Sequence, residues 1–142
     1  MKKMTQEEYF NFLASGTKTG HLATVRADGR PHVVPVWFVL EGDKIVFNTG
    51  NYSVKAKNMM RDPRVSISVD DQEPPYSFVT VEGTAELIED PGECLDCATR
   101  IGGRYMGEAR AQEFGRRNSE EDELIVKITP TNVIAYKNVT DY

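Results

Sequence analysis

The run 31–40 most constrains what this chain can fold into, because it is apolar on both sides of the strand it would form. Side chains alternate across a strand, so His32, Val34, Val36, Phe38 and Leu40 share one face and Val33, Pro35, Trp37 and Val39 share the other. Such a strand needs cover on both faces. A small barrel buries one of them, and the other calls for a helix, a second subunit or a flat ligand. Pro35 has no N–H to give to a sheet ladder, which predicts a bulge or an unpaired edge beside Trp37.

The remaining segments predict a sheet that can curve around that strand. Thr5 with Glu8 reads as a capping box, with Tyr9, Phe12 and Leu13 at helical spacing, so 5–15 is expected to be a helix ending near Gly16. Strands are expected at 20–26, 31–40 and 44–49, joined by turns at 27–30 and 41–43. Further strands are read at 64–70 and 77–89, the second bent at Gly83, with a proline-containing loop between them. Asp90 and Pro91 start a helix expected to run to Arg100 and break at Gly102 and Gly103, before a second helical piece over 108–116. Arg104 and Tyr105 then read as connecting filler. Segments 124–130 and 131–136 close the chain as two strands, or as one bent at Pro130. The fold class is mainly β or α+β: a single domain over residues 1–142, with six or seven antiparallel strands in a small barrel and short peripheral helices.

One strand end differs chemically from the rest. Phe47, Asn48, Thr49 and Gly50 lead through Asn51 and Tyr52 into Ser53, which is placed to cap a helix carrying Lys55 and Lys57. A helix start presents unpaired N–H groups and the positive end of the helix dipole, so Ser53, Lys55 and Lys57 read as a phosphate clamp. Lys55, Lys57, Arg61 and Arg64 stand there against the single acid Asp62, in a chain whose net charge is −5. The positive charge is therefore local.

The acidic balance argues against a general nucleic-acid binder. No apolar run suits a signal peptide or a membrane span, so the expected location is the cytoplasm. Cys94 and Cys97 fall inside a helix with no second pair, which makes them structural thiols and leaves no metal site. The carboxylates of 70–93 read as solvated surface. His21 and His32 are the only histidines, and no serine or cysteine is set beside either as a nucleophile would be. A clamp next to apolar strands, without a catalytic set, suits a flat cofactor with a phosphorylated tail that brings its own chemistry.

Several stretches carry a family resemblance: residues 22–38, with Asp28-Gly29-Arg30-Pro31-His32 leading to Val36-Trp37-Phe38; 47–57; 58–65; Pro74-Pro75-Tyr76 and Val81-Glu82-Gly83; and Arg104-Tyr105-Met106-Gly107. Together they resemble the pyridoxamine 5'-phosphate oxidase-like split β-barrel superfamily over residues 5–137. Within it the likeness is closest to the small flavin/deazaflavin oxidoreductases that use coenzyme F420. The resemblance implies a homodimer with a cofactor at each side of the subunit interface. The phosphate would lie against Ser53, Lys55 and Lys57, and the ring along Val34, Pro35, Val36 and Trp37 and along Asn48, Thr49 and Gly50. Tyr76 and Phe78 of the second subunit, with Arg104 and Tyr105, would complete the site. The implied reaction is hydride transfer from reduced deazaflavin to a conjugated small molecule, with His32 and Tyr76 as candidate proton donors and no catalytic residue selected. Two features argue against the vitamin B6 reaction and for the deazaflavin branch: only Lys127 and Lys137 are basic near the C-terminus, and Ser-x-Lys-x-Lys replaces a contiguous Ser-Arg-Lys. The alternatives are an FMN-binding oxidoreductase on the same fold and a non-catalytic carrier of a cofactor or tetrapyrrole.

Overall fold

A computed structural model describes residues 1–141. In chain order the elements are β1 (Lys2–Lys3), α1 (Gln6–Ala14), β2 (Gly20–Val25), β3 (Pro31–Val36), β4 (Val39–Glu41), β5 (Lys44–Gly50), α2 (Val54–Arg61) and β6 (Arg64–Asp70). They continue as β7 (Phe78–Ile88), α3 (Pro91–Met106), a 3-10 turn (Glu108–Arg110), α4 (Ala111–Arg117) and β8 (Glu123–Lys137). The local signals act as expected where they are self-contained. Thr5 Oγ1 accepts from Glu8 N at 3.2 Å while the Glu8 carboxylate accepts from Thr5 N at 2.9 Å, closing the capping box of α1.

All eight strands belong to one antiparallel sheet, one more than the upper sequence expectation. The extra one is β1, which pairs with β8. The order β3-β2-β6-β7-β8-β5-β4 makes β3 and β4 the two ends of the path. Yet only Trp37 and Phe38 separate them in sequence. A residue spans at most about 3.5 Å, so the sheet must curl until its ends nearly meet. They do not pair, and the barrel stays split at that seam.

This corrects the reading of 31–40 as one strand. The chain leaves the ladder after Val36 and re-enters it at Val39 on the opposite edge. Phe38 turns inward and is fully buried, whereas Trp37 is 40% exposed. Pro35 sits on an edge strand, one of the two outcomes its missing N–H predicts. Phe38 joins Leu22, Ile45, Phe47, Ile67, Val79 and Ile128 in the barrel core.

Two glycine readings part ways. Gly83 marks a bend: the β7–β8 register shifts between Glu82 and Gly83, opposite Pro130, and a Cβ there would meet the Thr129 carbonyl oxygen at 2.5 Å. β8 is accordingly one long strand bent at Pro130. Gly102 and Gly103 do not break a helix, because α3 runs through both to Met106. A Cβ on Gly102 would come 2.7 Å from Phe114 Cβ on α4. The glycines serve close packing of the two helices, and that packing outweighs their weak helix propensity.

Candidate functional site: a pocket at the barrel seam

The strand-to-helix turn after β5 forms as its residues dictate. Ser53 caps α2, its hydroxyl accepting from Ala56 N at 3.1 Å and lying 3.0 Å from Thr49 Oγ1. Gly50 is needed just before the turn, since a Cβ there would meet the Tyr52 ring at 2.5 Å. The first turn of α2 thereby directs Lys55 toward the seam.

There the chain forms a pocket of about 420 Å³. Pro35, Val36 and Trp37 from the end of β3, with Ile101 from α3, give it an apolar wall. Facing them are Lys55, Asn48, Asn118 and Glu123. Asn48 Nδ2 donates to the Asn118 carbonyl at 2.6 Å and to Glu123 Oε2 at 3.3 Å, tying β5 to the start of β8. Lys55 is half-buried, and loss of solvent lowers its pKa while Glu123 works the other way. Burial likewise raises the Glu123 pKa, against the Asn48 hydrogen bond.

The apolar wall is braced from behind. Trp37 stacks on Tyr105 with ring centres 4.8 Å apart and planes 3° from parallel. Tyr105 is held in turn: its hydroxyl donates to the Lys18 carbonyl at 2.7 Å and accepts from Phe38 N at 3.4 Å. Arg104 donates to four carbonyls, those of Leu13 (2.7 Å), Ser15 (3.4 Å), Gly16 (3.0 Å) and Phe38 (2.8 Å), and its guanidinium lies 5.0 Å from the Tyr105 ring centre. These two residues, read from sequence as filler, lock α1, the seam and α3 together.

With this geometry in view, the comparisons with known proteins decide the family. Residues 5–137 match the family described as pyridoxamine 5'-phosphate oxidase. The chain belongs to that family. It is 34% identical over 110 residues to a 5a,11a-dehydrotetracycline/5a,11a-dehydrooxytetracycline reductase from Streptomyces rimosus, covering 68% of this chain and 76% of the relative. Among solved structures it resembles the conserved hypothetical protein Rv2991 from Mycobacterium tuberculosis, with TM-score 0.84, 27% identity and coverage of 99% of this chain and 92% of the other. It also resembles a protein named F420 reductase, with TM-score 0.70, 30% identity and coverage of 87% and 94%. Relatives of this pyridoxamine 5'-phosphate oxidase family member thus include reductases.

Within this family member the sequence-expected site residues fall into three groups. Pro35, Val36, Trp37, Asn48 and Lys55 line the seam pocket, and Val34, Thr49, Gly50 and Ser53 lie on the segments that form it. Lys57 is elsewhere, in a groove of about 320 Å³ shared with Arg26, Arg30 and Arg61. Tyr76, in the loop before β7, and Phe78, the first residue of β7, are away from the pocket lining, and the Phe78 ring lies 5.9 Å from Tyr136. His32 is also outside the lining and keeps a buried Nδ1 without a hydrogen-bond partner. Cys94 and Cys97 are buried in α3 as structural thiols, the Cys97 thiol pushed by burial up to about 12. Among the described residues no cluster of His, Cys, Asp or Glu is gathered as for a metal ion, and no helix is long and apolar enough to cross a membrane.

Sequence reasoning missed Glu123, Asn118, Ile101 and Thr19 in the pocket lining. No local signal marks them; Thr19 arrives through the pairing of Gly20 with Val36, and the others follow from the helical segment 91–117 folding back over the seam. The residues present do fit a flat ring with an anionic tail. The wall is apolar and rigid, the one cation is half-buried and lacks an ion-pair partner among the described residues, and the volume suits a ring-sized ligand.

Proposed function

We propose that this chain is an oxidoreductase that binds coenzyme F420 in the seam pocket and reduces a conjugated small molecule. The observation that carries the reading is Lys55, a half-buried cation set across the pocket from the braced wall of Pro35, Val36 and Trp37. Likeness to an F420 reductase and to a dehydrotetracycline reductase supports the same class of chemistry. Reduced deazaflavin would supply the hydride. Lys55 and the capped start of α2 would hold the phosphate, where a charge-assisted contact is strong. Asn48 and Thr49 would meet the polar edge of the ring, and Trp37, fixed by Tyr105, would set its plane and exclude water. Neither His32 nor Tyr76 lines the pocket of its own chain, so solvent is the proton source in this reading.

The same reading includes a homodimer. Cross-strand register places Pro35, His21, Ser68, Thr80 and Ile134 in one row across the outer face of the sheet. On that face Val33 is 62% and Ile134 42% exposed, which supports a second copy as the missing cover. Sedimentation equilibrium gives twice the chain mass if this is right, and Val33→Glu with Ile134→Glu then yields monomer.

The deciding experiment titrates the cofactor-free protein with F420 and, separately, with FMN, following cofactor fluorescence polarisation. Micromolar or tighter F420 binding with weak FMN binding supports the proposal. Preference for FMN moves the chain to a flavin-dependent oxidoreductase, and binding of neither overturns both.

A further inference from the structure

The pocket contains a group that a phosphate site would not be expected to hold. Glu123 lines it together with Lys55, and any anion docking on Lys55 arrives beside that carboxylate. The two residues feel one another's charge, yet among the described residues they form no ion pair. Glu123 is fixed instead by Asn48 Nδ2 at 3.3 Å. Its strand partner is Gly50, and the side chain is partly buried where it lines the pocket.

We infer that Glu123 is a proton-operated counter-charge: it balances Lys55 in the free pocket and takes up one proton from solvent when a phosphate-bearing ligand docks there. This rests on the cofactor reading above. The charge bookkeeping is simple. With Lys55 cationic and Glu123 ionised, the lining residues have no net charge to offer a phosphate. Protonating Glu123 leaves one positive charge and removes the repulsion. The surroundings push the same way, since Asp122 and Glu120 on the preceding loop add negative charge and burial disfavours the ionised form. Lys55 on α2 is the opposing cation, the Asn48 amide on β5 favours the carboxylate, and Asn118 at the end of α4 is uncharged. On α3 the neighbouring group is the Cys94 thiol, which donates to the Glu123 carbonyl at 3.4 Å and is kept protonated by burial.

The consequence is a selection rule. Ligands with a phosphate should bind more weakly as pH rises, whereas the same ring without a phosphate should not respond. This slope runs against the ligand's own chemistry, because a phosphate monoester gains its second charge near pH ~6 and would bind a plain lysine more tightly above that.

The test measures FMN and riboflavin affinity by fluorescence from pH 5.5 to 8 in the wild type and in Glu123→Gln, which retains an acceptor oxygen for Asn48. For the wild type the FMN dissociation constant is expected to rise about tenfold over this range, with riboflavin unchanged. For Glu123→Gln the rise disappears, and at pH 8 the variant binds FMN at least about threefold more tightly than the wild type. Calorimetry within this range in two buffers of different ionisation enthalpy should find net proton uptake by the wild type, averaging about 0.4 proton per FMN as a tenfold change over about 2.5 pH units requires, and none by the variant. An equal slope in both proteins, or weaker binding by Glu123→Gln, overturns the inference and leaves the cofactor reading standing. Failure of both FMN and F420 to bind at any pH overturns the cofactor reading itself, and this inference with it.

Discussion

Lys55 and Lys57 are two residues apart on one helix and belong to different parts of the molecule. Lys55 enters a braced, half-buried pocket of mixed charge, and Lys57 lies exposed in a groove with Arg26, Arg30 and Arg61. Two steps along an α-helix turn the side chain through about 200°, which is enough to place neighbours in sequence on opposite faces. Both regions can attract an anion. Only the first has a rigid wall and a half-buried cation, whereas the carboxyl of the groove, Asp28, is already paired with Arg30, and that difference separates a binding site from a basic surface.

The largest effect expected is on the bracing that makes the pocket different. Arg104→Ala strips donors from four backbone carbonyls and should cost about 2–3 kcal/mol in urea unfolding, whereas Arg30→Ala, which breaks an exposed pair with Asp28, should leave the midpoint unchanged. Equal effects would mean that the pocket is no more built than the groove. Next, Lys55→Met should weaken cofactor binding by about 5- to 150-fold and Lys57→Met by less than about threefold, measured by fluorescence titration. A reversed order would move the ligand's anionic part to the groove. Salt sharpens the contrast further: raising it from about 0.05 to about 0.5 M should erase the Lys57 contribution and preserve most of the Lys55 effect, because exposed charges are screened more fully. The smallest expected effect is none at all. Burial raises both thiol pKa values, so native protein at pH 8 should react with a thiol reagent at neither Cys94 nor Cys97, and at both once unfolded in denaturant.

What the sequence made legible was local. The Thr5–Glu8 capping box, the Ser53 cap, the Gly83 bend and the alternation of β6 each depend on residues close in the chain or on strand period, and each formed as read. The seam was not legible in that way. Nothing within 31–40 announces that its two halves join opposite ends of a sheet, because the break at Trp37 and Phe38 is imposed by closure of the whole barrel. The glycine pair in α3 misled for the same reason: propensity favoured a break, and contact with Phe114 decided otherwise. Half of the candidate site was visible in the segments 34–37 and 47–55. Glu123 and Asn118 come from roughly seventy residues later and reach the pocket only through tertiary contact. The division between Lys55 and Lys57, by contrast, was available from helical geometry alone.

The open edge of β3 has a consequence for how copies of this chain meet. An edge strand invites any passing strand to extend the sheet, which is a route to fibrous aggregation. Pro31 and Pro35 stand on the same side of the β3 alternation, bracketing Val33, and neither has an N–H to present. A strand arriving there would find one donor where it needs three. The opposite end of the sheet is protected by length, since β4 has only three residues. Two prolines and a short strand therefore turn strand addition away from both ends of the sheet path.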